Sequence, residues 1–301
     1  MDTDESLIWQ NETSVWFQQV SRTAAGTYLL RREYVRDPAD VSGAARSSPV
    51  RTAAGATLID SARDSRWPGV DLYELQSDRQ LALVILDGTA SDPATTECFR
   101  AVGALLALMH GSDAVGSRQV FHMVRFRDEL SLAASGTPSS RLRAKLAGPL
   151  LDSIENWLEE LASPTAGVPS LGNATMNSIF LDESGQVELP YGPEACTADP
   201  EYDVGWLLGE LTELEYSFSQ RGMPSSHIPL YARILLDSYR DAGGPKLDLA
   251  RLARVVAVRV CLHYFDFSET MPTIPIGQAD IGFLEWLIER ARMMEDDDAE
   301  R

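Results

Sequence analysis

The sequence predicts an α+β protein in two unequal parts, a small β-rich part over residues 1–88 and a larger helical part over residues 89–301. Three observations lead there. Short runs dense in β-branched and aromatic residues, separated by turn residues, are confined to the first part. Apolar residues at three- and four-residue spacing, the mark of a helix with one buried face, dominate the second. With 301 residues, 44% of them apolar, the chain can build one two-lobed core or two modest ones.

In chain order, residues 15–20 and 27–34 read as strands joined across Arg22-Thr23-Ala24-Ala25-Gly26, a turn whose single glycine makes it a weak cradle for phosphate. Residues 37–68, rich in Ala, Ser, Gly, Arg and Pro, read as a loop with a weak helix. Two further strands are expected at 72–75 and 81–86, closed by Asp87-Gly88. Asp92 then offers an N-cap and Pro93 the first helical position. Phe99, Val102, Leu105, Leu106 and Met109 mark the buried face of that helix, which ends at His110-Gly111. Leu150, Leu151, Ile154, Trp157, Leu158 and Leu161 mark a second helix; Val204, Leu207, Leu208 and Leu211 mark a third. Three more are expected at about 230–242, stopping at Gly243-Gly244, at 247–265 and at 281–294, before a frayed acidic tail at 295–298.

The formal net charge of −19, about −4 before residue 89 and −15 after it, argues against nucleic acid and anionic membrane as partners. It suits a solvated acidic surface or a cationic protein or peptide partner. No run of eighteen apolar residues exists, so no membrane span is expected. The opening Met1-Asp2-Thr3-Asp4-Glu5 is unlike a secretory signal, which points to the cytoplasm. Cys98, Cys196 and Cys261 are scattered and read as buried apolar residues. His122, His227 and His263 stand apart from one another, and no His-x-x-x-His spacing or Gly-x-Ser-x-Gly elbow occurs; no metal and no cofactor are expected.

The most informative stretch is Leu171-Gly172-Asn173-Ala174-Thr175-Met176-Asn177-Ser178, followed by Gly192-Pro193-Glu194-Ala195 and then Asp199-Pro200-Glu201-Tyr202-Asp203. This series resembles the aminoglycoside phosphotransferase and choline kinase-like family. There, a His-Gly-Asp-x-x-x-x-Asn loop leads through a hairpin to a metal-binding Asp and an Asp-Pro-x-Tyr-Asp helix start. The resemblance implies a bilobal protein kinase-like fold with a β-rich N-lobe and a helical C-lobe. It places the catalytic loop at 171–180 and the metal loop at 192–195, and gives His110 the structural place of the Leu-His that closes a family helix.

In that frame the leading His is Leu171, the catalytic Asp is Asn173, the metal-binding Asn is Ser178 and the second metal-binding Asp is Gly192. An amide cannot take a proton from the attacking hydroxyl, and a glycine and a serine are poor replacements for the oxygen ligands of Mg²⁺. The first lysine in the chain is Lys145, so Arg31 or Arg32 stands where the nucleotide lysine belongs. No Glu lies between Glu33 and Glu74 to pair with it, and Glu194 is the acidic side chain best placed to replace a lost ligand. Four requirements of phosphoryl transfer fail together.

The expectation is therefore a pseudokinase, not an enzyme, acting as a binding, scaffold or regulatory subunit for a protein or peptide. By analogy its setting is bacterial peptide natural-product biosynthesis, with homo-oligomers allowed. In this reading the cleft between the lobes stays open to a ligand. The alternatives are a residual phosphotransferase using Glu194 and the arginines, and a protein that binds a small cationic ligand.

Overall fold

The computed structural model describes residues 6–12, 16–34, 52–53, 55–63, 70–87, 93–113, 120–132, 138–165, 167–182 and 185–299. The expected N-cap Asp92, the Gly88 expected to close the second strand pair and most of the loop expected at 37–68 lie outside them. The order is a sheet-rich region followed by a helical one, as the fold class predicts.

A five-stranded antiparallel sheet is built from β1 (Ser6–Glu12), β2 (Trp16–Arg22), β3 (Tyr28–Tyr34), β7 (Val70–Leu75) and β6 (Ala62–Arg63), in that spatial order. Period-two alternation sets its inner face: Trp16, Gln18 and Val20 of β2 lie beside Leu30, Arg32 and Tyr34 of β3, all buried. Two polar side chains, Gln18 and Arg32, thus point inward, opposite each other in the register. β1 precedes the two strands read from the sequence, so the Thr23–Gly26 turn joins the second and third strands rather than forming the first hairpin.

A second sheet runs β4 (Thr52–Ala53), β5 (Ala56–Asp60), β10 (Val187–Tyr191), β9 (Phe180–Leu181). Its β5–β10 pairing is parallel, Ala56 with Val187 through Asp60 with Tyr191, and ties the N-terminal region to the C-terminal one through the backbone. The expected strand at 81–86 is instead a helix, α1 (Leu81–Leu86). Leu81, Ala82, Val84 and Ile85 are buried while Leu83 and Leu86 face out, a helical spacing that a six-residue apolar run does not distinguish from a buried strand.

The helical lobe contains α2 (Pro93–His110), α3 (Phe121–Leu132), α4 (Pro138–Arg143), α5 (Gly148–Leu161), α6 (Glu201–Gln220), α7 (Ile228–Asp241), α8 (Leu249–Thr270) and α9 (Gln278–Ala299). α3 and α4 had no counterpart in the sequence reading, and α9 continues through the acidic run expected to fray. The five predicted residues of α2 are all buried and join the main core with Leu207, Leu211, Tyr231 and Leu235. Leu150, Ile154, Trp157 and Leu158 pack in a second core with α8 and α9. Between α5 and α6 lie a two-stranded sheet, β8 (Val168–Ser170) with β11 (Cys196–Ala198), and a single 3₁₀ turn at Met176–Ser178. No described helix is long and apolar enough to cross a membrane.

Candidate functional site

The loop from Ser170 to Ser178 is held from below by α6. Asp203 accepts from Ser170 Oγ at 2.9 Å, from the Leu171 N–H at 3.0 Å, and lies 3.2 Å from His110 Nε2, whose Nδ1 is 2.9 Å from the Tyr239 hydroxyl. Tyr202 donates to the Gly172 carbonyl at 3.0 Å. Glu210 accepts from the Met176 N–H at 2.6 Å, from the Thr175 hydroxyl and from Arg259. His110 therefore has the structural place expected of it. Gly172 is fixed by both conformation and space: its φ is +71° and a Cβ there would sit 1.7 Å from the Glu194 carbonyl oxygen. The frame of the loop is complete.

The positions that would carry chemistry are brought together but bond to one another. Arg32, 2% exposed, donates to Ser178 Oγ at 2.9 Å, to Glu194 Oε2 at 3.4 Å and to Gln18 Oε1 at 3.4 Å. Its guanidinium carbon lies 4.9 Å from the Trp16 ring centre, within cation–π range. Asn173 Nδ2 reaches both oxygens of Glu194, at 3.2 and 3.3 Å. His122 Nε2 lies 2.9 Å from Glu194 Oε1, and the Tyr34 hydroxyl donates to Oε2 at 3.3 Å. Glu194, 4% exposed, is thus met by Arg32, Asn173, His122 and Tyr34.

At Gly192, a Cβ would stand 2.1 Å from the Tyr73 hydroxyl, which fills the space a ligand side chain would need. Leu171 is buried and contributes its backbone N–H alone to this network. Of the two candidate arginines, Arg31 is half-exposed and 3.7 Å from Glu33, while Arg32 is buried and bonded to Glu194 and Ser178. Gln18, Tyr34, Tyr73 and His122 escaped the sequence reading because they arrive from other strands and from α3. The one available signal was a polar pair, Gln18 and Arg32, at inward positions of otherwise apolar strands.

The electrostatics follow from this packing. Burial raises the Glu194 carboxyl, but the His122, Arg32 and Asn173 donors outweigh it and hold the group below its ordinary value. Burial lowers the His122 imidazole against the pull of Glu194, so the ring stays neutral. The Arg32–Glu194 pair is a buried charge pair with further hydrogen bonds from Arg32 to Ser178 and Gln18 and to Glu194 from Asn173, His122 and Tyr34, which offset its burial in part; Arg32 Nε has no partner among the described residues.

These residues do not fit magnesium and a nucleotide triphosphate. A guanidinium already lies against Ser178, a phenol closes Gly192, and the oxygens of Glu194 are committed. Among the described residues, no group of three or more His, Cys, Asp or Glu side chains is arranged to hold a metal ion. The interlobe cleft expected to remain open is filled at this depth. A cavity of about 480 Å³ lies between α1 and the helical lobe, lined by Ala82, Leu86, Met176, Asn177, Tyr216 and Asp280 among others.

The architecture, a small β-rich region followed by a larger helical one, is a protein kinase-like fold. A thermostable mutant of the aminoglycoside phosphotransferase APH(4)-Ia, solved with ADP and hygromycin B, superposes with a TM-score of 0.51 over 97% of this chain and 94% of that one, at 12% identity. The macrolide 2'-phosphotransferase MphH from Brachybacterium faecium (TM-score 0.47, 17% identity, 95% and 94% covered) is similar. So is a Plasmodium vivax ethanolamine kinase (0.49, 13%, 95% and 81%). At such identities the likeness to APH(4)-Ia shows the fold alone. No protein-family model matches the sequence, and the search of curated proteins finds no significant match.

Proposed function

We propose that this chain is a kinase-fold protein that does not transfer phosphate and acts by binding a protein or peptide. One observation carries the reading: Arg32, Asn173, Ser178 and Glu194, the side chains left at the positions of the chemistry, are bonded to each other. A residual phosphotransferase would have to break these contacts before any of them could meet substrate. The acidic charge of −19 supports a cationic partner, and a peptide-modifying system in natural-product biosynthesis is the setting we place first.

Two measurements test this. Incubation with magnesium and ATP, with aminoglycoside, macrolide and ethanolamine acceptors, is expected to give no transfer above background. Affinity purification from the native cell, followed by reconstitution with the purified partner, is expected to give a complex that survives gel filtration. Phosphorylated acceptor, or a failure of every captured protein to rebind, counts against the proposal.

A second reading, a small cationic ligand in the cavity between α1 and the helical lobe, is favoured by Asp280. Its Oδ2 accepts the Gly277 N–H at 2.8 Å, and its Oδ1 lies 3.4 Å from each of the Tyr216 and Tyr264 hydroxyls. Arg221, Arg259 and His263 line the same cavity, Arg259 and His263 being engaged by Glu210 and Glu213, and the Asp280 carboxylate beside aromatic rings is the group that attracts an ammonium. Calorimetry with ethanolamine, polyamines and aminoglycosides tests this, with Asp280→Asn weakening any binding roughly tenfold or more. Unchanged affinity in that variant removes the reading.

A further inference from the structure

We propose that Arg32 is a built-in cation that latches the two lobes together in the place where a divalent metal and a triphosphate would otherwise bridge them. The inference deepens the non-catalytic reading above and rests on it. Arg32 comes from β3 of the small lobe, while two of its partners, Ser178 and Glu194, belong to the large lobe. Ser178 stands at a position the family resemblance gives to a metal ligand, and here it bonds to a guanidinium. At the other such position, Gly192, Tyr73 of β7 takes up the space. Tyr34 adds a second tie from the small lobe to Glu194, at 3.3 Å.

The charge balance is suited to this. Glu194 is the carboxylate bonded to the guanidinium, buried Asp71 stands opposite Arg32 in the β3–β7 register, and Ser178, Gln18 and the Trp16 and Tyr73 rings add neutral acceptors and π faces. A dication bound beside Arg32 would meet like charge at short range in a buried site. The side-chain latch is backed by the backbone, because β5 of the small lobe pairs in parallel with β10 of the large one. Further backbone bonds run from Val187 N–H to the Gly55 carbonyl at 2.9 Å, and from Ser61 N–H to the Tyr191 carbonyl at 3.2 Å. Closure is therefore built into the polypeptide and needs no nucleotide, so any surface that spans both lobes is preformed.

Hydrogen exchange read by mass spectrometry tests the latch, using the full chain, Arg32→Met and Glu194→Gln, each with and without magnesium and ATP. In the unmodified protein, exchange over residues 56–60 and 187–191 is expected to be the same under both conditions. Arg32→Met is expected to speed exchange there roughly 100-fold, since it leaves a buried carboxylate unpaired. Residues 201–220 and 249–270 should remain protected, showing that the helical lobe is folded.

If Arg32→Met does not fold, Tyr34→Phe and Ser178→Ala each remove one tie, and each is expected to give a smaller rise. Unchanged exchange in all the variants that fold overturns the latch and leaves the non-catalytic reading standing. Nucleotide-dependent protection in the unmodified protein overturns the latch, and acceptor phosphorylation separately overturns the non-catalytic reading.

Discussion

Gly192 and Tyr73 are fitted to each other. A carboxylate at 192 would need a Cβ where the Tyr73 hydroxyl stands, 2.1 Å away, so restoring the ligand alone forces a clash. Gly192→Ala is expected to destabilise by about 1–3 kcal/mol, the usual cost of overpacking a close-packed interior. The next nearest atom to that Cβ is the Tyr73 ring carbon at 3.2 Å, so adding Tyr73→Phe is expected to recover much of the loss. Urea unfolding of the two single variants and the double variant checks this, and strict additivity would show that the two sites are independent.

Glu194 and His122 each contribute to the response to acid. The carboxyl is held below 4.5, so its contribution is present above that pH and is lost as pH falls through the folded value. His122 is held neutral below its ordinary 6.5, so the unfolded chain takes up its proton first and stability begins to fall below about that pH. Both effects have the same sign. Unfolding measured from pH 7.5 down to 4 is expected to show a loss that His122→Gln reduces between 6.5 and 4.5. An identical pH profile in that variant would contradict this account.

At the scale of elements, what the sequence reveals depends on whether a run has a period. The face of α2, from Phe99 to Met109, was readable because its spacing is helical over several turns. Leu81 to Leu86 has no polar residue to give it phase, and it is a helix that starts after the bridging residue Gln80. β5 and its parallel partner β10 were hidden for a different reason. Their pairing joins residues more than a hundred positions apart, and nothing local in Ala56–Asp60 announces it.

The candidate site divides the same way. The loop frame was legible because Gly172, Asp199 and Asp203 keep a fixed spacing, whereas Tyr34, Tyr73 and His122 enter it through tertiary packing. Leu58 lies in β5, 3% exposed, in the core that unites the two lobes. Leu58→Ala is expected to cost about 2–5 kcal/mol in chemical denaturation. A loss below about 0.5 kcal/mol would show that this strand is not part of the folded unit.

On the scale of the whole molecule, shared sheet and buried ion pair make two lobes into one cooperative structure. Differential scanning calorimetry is expected to show a single transition with equal calorimetric and van't Hoff enthalpies; two resolved transitions would separate the lobes. β5 and β10 join the two lobes through the backbone, and Arg32, Glu194 and Tyr73 fill the depth between them. What remains available for recognition is the outer surface, strongly acidic, and the cavity beside Met176 and Asp280.

The most direct test is isothermal calorimetry of ATP into the purified protein, with magnesium present and then with it chelated. Internal occupation of the site predicts no saturable heat in either case. Saturable binding at one site per chain that disappears when magnesium is removed would contradict it.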